Sequence, residues 1–381
     1  INYINIDNYS HRLEVDSILR FRLHSILFLI EIIKKVDKKF RIKKIVVSGW
    51  SEYQGQYSNQ NYFISNLAKE LFNKKEIILL KKNKKISQLV KNNFPTYELE
   101  GIKNNDNKNY ILLSNIFYNF FRLIRNVKEK NTYFLTPYDK RISYIKHMIF
   151  KFLKVKFFKF KKKKNEVINF KFPKIIFQYQ NKIIKNLLID RFNQEKGNIV
   201  ESIEKGRALD AIYDKINIVS VFSNIARGEY GYYLESATKK NIKSFCIPHG
   251  TLAEHFNKYD KIYKNTIAEA VSSAQSKYFA VQSKITEKFL KKNKKNYKFK
   301  KIKTGNLIFS ENSNKKMKNR NTILFAVTVK AFQSIQYVGV EMYYEFIENL
   351  NFLNSFSKES DYKILVKLHP GAQKNLSLIH I

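Results

Sequence analysis

Apolar positions along the chain follow two periods, and the switches between them mark its elements. Residues 10–38 repeat apolar side chains at helical spacing with charges on the other face, which predicts a helix packed on a core. Lys44-Ile45-Val46-Val47-Ser48-Gly49-Trp50 predicts a buried strand and a glycine-bearing turn, Asn59 to Phe72 an amphipathic helix, and Lys75-Glu76-Ile77-Ile78-Leu79-Leu80 the next strand. After a helical stretch around Lys182 to Phe192 the alternation resumes. Strand Ile216 to Phe222, helix Glu229 to Lys240 and strand Lys243 to Ile247 are followed by strand Tyr278 to Val281, helix Ile285 to Lys292, and a closing strand and turn from Lys301 to Asn306. A last unit reads strand Thr322 to Val327, helix from about Ile335 to Phe356, and strand Ile364 to Leu368. Strands separated by helices predict parallel pairing, hence an α/β fold.

Polar stretches divide this series. Residues 84–110, rich in Asn and Lys, predict a surface excursion, and Ser310 to Arg320 has the composition of a linker. The expected organisation is a Rossmann-like domain over 1–309, a linker at 310–320, and a second Rossmann-like domain over 321–381, with a cleft between the two domains. A second domain of about 60 residues is too small to close a doubly wound sheet, so it is expected to be truncated. The chain begins at Ile1 without a methionine and shows no signal-peptide order, which predicts a fragment whose start lies upstream.

Charge adds a partner class. Lys+Arg 71 against Asp+Glu 32 leaves a formal +39, a field that draws in nucleic acid, anionic lipid or a phosphorylated substrate. Codon bias of an AT-rich genome, suggested by the crowding of Lys, Asn and Ile, is the competing source of that charge. Residues 111–164, read as a basic aromatic insertion in the first domain, interleave Phe117, Tyr118, Phe120, Phe121, Phe150, Phe152, Phe157, Phe158 and Phe160 with lysines and end in Lys161-Lys162-Lys163-Lys164. Three readings fit: rings stacked on bases with lysines on phosphates, rings in a membrane interface with lysines on head groups, or a helix with an aromatic core face and solvated lysines. The stretch expected to dock on an anionic membrane is Phe150 to Lys164. Cys246, the single cysteine, excludes an intrachain disulfide and predicts a reducing, cytoplasmic setting. The apolar run Ile26 to Ile30 is broken by Glu31, well short of the ~20 apolar residues of a spanning helix.

Two loops carry candidate chemistry. Ser244-Phe245-Cys246-Ile247-Pro248 delivers His249-Gly250-Thr251, and Ile364-Leu365-Val366-Lys367-Leu368 delivers His369-Pro370-Gly371, so both histidines leave strand ends, where α/β sheets bind ligands. A neutral His249 titrates near physiological pH and suits a general base. Gly250 lets a substrate approach the backbone, and Thr251 offers a hydroxyl. The bland alternative for His249 is a hydrogen bond to a neighbouring carbonyl. His369 could direct an N–H at a phosphate while Pro370 fixes the turn and Gly371 exposes backbone amides. Arg227 is a candidate anion contact or a solvated arginine, and Glu229, Glu254 and His255 are weaker candidate helpers.

Ile247-Pro248-His249-Gly250-Thr251, Lys303-Thr304-Gly305-Asn306 and Lys367-Leu368-His369-Pro370 together resemble bacterial GT-B transferases of surface-polysaccharide assembly. The His-Gly-Thr loop is similar to that of CDP-glycerol glycerophosphotransferases, which implies a base role for His249. The His-Pro pair is similar to that of capsule sialyltransferases, which implies nucleotide-phosphate contact by His369 and Pro370. The resemblance spans roughly residues 215–371. It implies a transferase moving a group from a nucleotide-sugar or CDP-polyol donor to a glycan or lipid-linked acceptor, with no cofactor and no metal, cytoplasmic or peripheral on the inner face of the plasma membrane, and with no specific nucleic-acid partner. As a fragment it is expected to be inactive. A sugar-nucleotide epimerase of similar fold and a basic nucleic-acid-binding protein are the alternatives.

Overall fold

A computed structural model of the chain describes residues 5–6, 9–10, 34–47, 76–79, 93–102, 107–116, 120–127, 129–140, 142–169, 182–226, 229–248, 252, 254, 275–292, 299–305, 321–326 and 339–367. The chain divides into two compact units, one of residues 1–20, 88–180 and 188–311, the other of 21–87, 181–187 and 312–381. The expected linker at 310–320 and the expected helix at Asn59 to Phe72 lie outside the described residues.

In the second unit, β3 (Lys44–Val47) pairs parallel with β4 (Glu76–Leu79), as a strand–helix–strand pattern demands. Upstream, β1 (Asn5–Ile6) and β2 (Tyr9–Ser10) form a small antiparallel pair in the first unit.

The first unit is built on one eight-stranded sheet. Its strands are β5 (Asn93–Glu100), β6 (Asn109–Leu113), β7 (Thr132–Pro137), β8 (Val155–Asn169), β9 (Asn217–Ser223), β10 (Lys243–Cys246), β11 (Tyr278–Val281) and β12 (Lys300–Lys303), in the spatial order β12-β11-β10-β9-β6-β7-β8-β5. β6 to β12 run parallel, and β5 closes the edge antiparallel to β8. This is the mixed α/β architecture with a large, mostly parallel sheet that the strand and helix alternation predicts. Numbered from β6, the parallel strands lie in the doubly wound order 3-2-1-4-5-6-7.

Helices cover both faces. On one side α1 (Phe121–Asn126) and α2 (Tyr144–Phe152) contribute Ile124 and Phe150 to a core with Ile111, Leu113, Phe134 and Val155. On the other, α3 (Lys182–Lys215) and α4 (Glu229–Lys239) place Leu209, Ile212, Tyr233 and Ala237 on Tyr110, Leu112, Leu135 and Val221. Alternate residues of β6 therefore enter opposite cores, which is why its sequence is apolar throughout rather than every second position. A register shift in the β6–β9 pairing puts both Ile218 and Val221 on the same side. The next helix, α5 (Lys284–Lys292), seals Phe279 and Val281 with Phe289 and Leu290. Close approach of α3 and α4 requires Gly206, where a Cβ would stand 2.9 Å from the Tyr232 ring.

Two expectations are corrected here. Residues 84–110 are not only a surface excursion: Asn93–Glu100 is the edge strand β5, whose Leu99 packs on the core, and Pro95 is tolerated because the strand is at the edge. Residues 111–164 are not an insertion, since they supply β7, most of β6 and the first two thirds of β8 to the sheet. The helical reading of the lysine-rich run also fails. Lys161 to Lys164 continue β8, with Lys161 3.8 Å from Glu98 and Lys163 2.8 Å from Glu166.

The last unit of the chain, β13 (Thr322–Ala326), α6 (Gly339–Glu359) and β14 (Lys363–Lys367), forms a two-stranded parallel pair in register from Thr322↔Lys363 to Ala326↔Lys367. Among the described residues, no helix is long and apolar enough to cross a membrane.

Candidate functional site

In a doubly wound sheet the loops leaving two neighbouring strands diverge where the strand order reverses, and a crevice opens beyond their carboxyl ends. Here the reversal falls between β6 and β9, because β6 leads to β7 on one side and β9 to β10 on the other. The residues at that point are near copies of each other: Leu113-Ser114-Asn115-Ile116 after β6 and Phe222-Ser223-Asn224-Ile225 after β9.

Ser114 N–H extends the ladder to Phe222 O at 2.9 Å, which brings the two serines together. The Ser114 hydroxyl donates to Ser223 Oγ at 2.8 Å, and the Ser223 hydroxyl donates to Ile225 O at 2.7 Å. Both serines are buried. The chain of hydroxyls is thus directed, running from Ser114 through Ser223 to a carbonyl. Beside it, Asn115 Oδ1 and Asn224 Oδ1 are buried with no hydrogen-bond partner among the described residues. Leaving a buried polar atom unpaired costs about 1–3 kcal/mol, so a pair of them at the switch point marks a place where hydrogen-bond donors are needed. Carboxamide oxygens accept, which suits hydroxyl or N–H groups of a ligand and not phosphate oxygens.

The loop after β10 is anchored beside this point. Ile247 N–H donates to Ser223 O at 2.8 Å, Gln282 Nε2 donates to Pro248 O, and Ile247, Pro248 and Leu252 are all buried. Cys246 at its root is fully buried, and burial pushes its thiol far above the usual range, so it is an inert core residue. The flanks of the His249 loop are therefore fixed next to the switch point, while His249, Gly250 and Thr251 themselves lie outside the described residues. Arg227, between Ala226 and Glu229, and His369, Pro370 and Gly371, beyond β14, also lie outside them. His255 does too.

The structure describes two of the weaker helpers. Glu229 sits in the first turn of α4 with Lys205 at 3.5 Å, and Glu254 pairs with Lys292 at 3.3 Å. Each carboxylate has a cationic partner.

A histidine that the sequence reading passed over stands on the same carboxyl side. His147 of α2 is buried, with Nδ1 3.1 Å from Ser143 O and its ring stacked on Tyr138 at 4.6 Å. Its Nε2 is buried without a partner among the described residues, as is Thr136 Oγ1 at the end of β7. Ser114, Asn115, Ser223 and Asn224 were equally missed, although the repeated Ser-Asn-Ile after two apolar strands is a signal in the sequence. Among the described residues no group of three or more His, Cys, Asp or Glu stands together as metal ligands. Compared with known proteins, the chain matches no family model and no curated sequence.

Proposed function

We propose that the protein is a GT-B-type transferase that moves a glycosyl or polyol-phosphate group from a nucleotide-activated donor to a hydroxyl of a glycan or lipid-linked acceptor. The observation that carries this reading is the paired Ser-Asn at the sheet's switch point, with two buried carboxamide oxygens that have no partner among the described residues, beside the anchored root of the His249 loop. Acceptor hydroxyls supply the donors those oxygens lack. In this reading His249 takes the proton of the attacking hydroxyl as the new bond to the transferred group forms and the nucleotide departs with the electron pair of the broken bond. The resemblance assigns nucleotide-phosphate contact to His369 and Pro370, and in this reading Gly371 offers backbone amides to the same anion and Arg227 a further anion contact. Gly250 and Thr251 complete the acceptor loop.

The test, made on the complete gene product, is release of CMP, CDP or UDP from activated donors when a polyol or lipid-linked acceptor is added. His249→Ala is expected to lower turnover by ~10²-fold or more with donor affinity nearly unchanged. Turnover equal to the unaltered protein would end the assignment of the base. Absence of nucleotide release from every donor, combined with binding to random DNA that falls steeply with salt, would replace the transferase by a nucleic-acid-binding protein.

A further inference from the structure

Helix α2 exposes apolar side chains on the face turned away from its core. Tyr144, Ile145, Met148, Ile149 and Phe152 are 79%, 72%, 38%, 52% and 85% exposed, whereas His147 and Phe150 are buried. At ~100° per residue the five exposed residues fill an arc of about 140° opposite the two buried ones. Lys146 and Lys151 fall on the two flanks between these arcs, where their stems run beside the apolar face and their ammonium groups reach outward. The helix is held firmly in this orientation. Ser143 caps its start, accepting from Lys146 N–H, Leu153 N–H closes its end on Ile149 O, and Lys154 turns left-handed at φ 58° to enter β8. Phe121 of α1, 41% exposed with its ring 5.6 Å from Phe150, extends the patch.

We infer that α2 is a docking surface for an anionic lipid bilayer, lying in the interface with its exposed apolar face among the acyl chains and its flanking lysines on the head groups. Charge selects the occupant. Between Asp139 and Glu166 the chain carries eleven Lys or Arg and no acidic residue. A second copy would bring the same acid-free stretch and the same +39 to the contact, so self-association through this face is opposed by repulsion. Nucleic acid would give Ile145, Met148 and Ile149 nothing to meet, because phosphates pair with cations and bases stack on rings. A bilayer with anionic head groups satisfies both the apolar arc and its cationic flanks. The membrane-facing element is thus α2 and not the run Phe150 to Lys164 as a whole, in which Phe150 and Phe158 are core.

This inference does not depend on the transferase chemistry. The test is co-sedimentation of the whole chain with phosphatidylcholine vesicles and with phosphatidylcholine–phosphatidylglycerol vesicles. Binding is expected only to the second, and Ile145→Ser, Ile149→Ser and Phe152→Ser together should lower it by ~10-fold or more. Because these side chains are exposed, the urea midpoint should stay the same. Lys146→Gln with Lys151→Gln should cost roughly fivefold per lysine at low salt and less at high salt. Equal vesicle binding by the triple variant overturns the inference, and so does a wild-type self-association without vesicles that the triple variant abolishes. Vesicle binding by α2 that persists when the complete gene product releases no nucleotide would leave α2 as the docking surface and remove the transferase reading alone.

Discussion

β6 and β13 read almost alike, Asn109-Tyr110-Ile111-Leu112-Leu113 against Thr322-Ile323-Leu324-Phe325-Ala326, yet their surroundings differ completely. Leu112 and Leu113 are fully buried, between helices on both faces of a wide sheet, whereas Leu324 is 59% exposed in a two-stranded pair whose partner strand also exposes Leu365 and Val366. An apolar run encodes a strand, but the cover it receives comes from elements far away in the chain. For β6 these are α1 and α2 on one face and α3 and α4 on the other.

The sharpest way to break the comparison is to truncate matched leucines. Leu112→Ala should lower unfolding free energy by about 2–5 kcal/mol, and Leu324→Ala by less than about 1 kcal/mol, as read from chemical denaturation. Similar losses at the two sites would mean that β13 is covered in solution as well as β6 is.

The same contrast can be posed within one helix. In α3, a Cβ at Gly206 would meet the Tyr232 ring at 2.9 Å, while a Cβ at Gly197 would meet nothing within 4 Å. Gly206→Ala should therefore destabilise by about 1–3 kcal/mol through overpacking. Gly197→Ala should stabilise by about 0.5–1 kcal/mol, because an open helical position gains from the lost backbone entropy of glycine. Thermal melts that moved in the same direction for both would contradict the close α3–α4 packing.

A last comparison tests the β5 edge of the sheet by pH. Burial first, and Glu201 next, push the Tyr97 hydroxyl up to about 12. The folded state holds that proton more tightly than the unfolded chain, whose tyrosines titrate near 10. Its contribution to stability is complete below pH ~10 and is lost as pH rises toward 12. In Tyr97→Phe that part of the alkaline loss should disappear, with the unfolding midpoint falling less steeply between pH 10 and 12 than in the unaltered chain. Identical alkaline profiles would place Tyr97 in water.

Much of the strand and helix series was legible. β9, α4, β10, β11 and α5 fall within a residue or two of their predicted bounds, since each is a short apolar run or an amphipathic turn bounded by polar residues. β5 and β8 were not legible, because the edge strand β5 carries Pro and Glu and its neighbour β8 a lysine run, polar side chains that resemble a loop or a solvated helix face. At the candidate site, the strand end that precedes His249 could be read, but the partnership of Ser114 with Ser223 could not, as 108 residues separate them.

By itself the sequence determined the periodicity of its elements, the parallel character that strand–helix alternation imposes, the cationic field of +39 and the histidine loops at strand ends. These are properties of local residue order and of summed charge. Tertiary structure alone decided the strand order that sets the switch point between β6 and β9, the pairing of the two Ser-Asn turns there, and which face of α2 stays open. The reason is that pairing and burial are long-range: hydrogen bonds between strands and the cover of an apolar face depend on segments brought together only when the whole sheet is assembled.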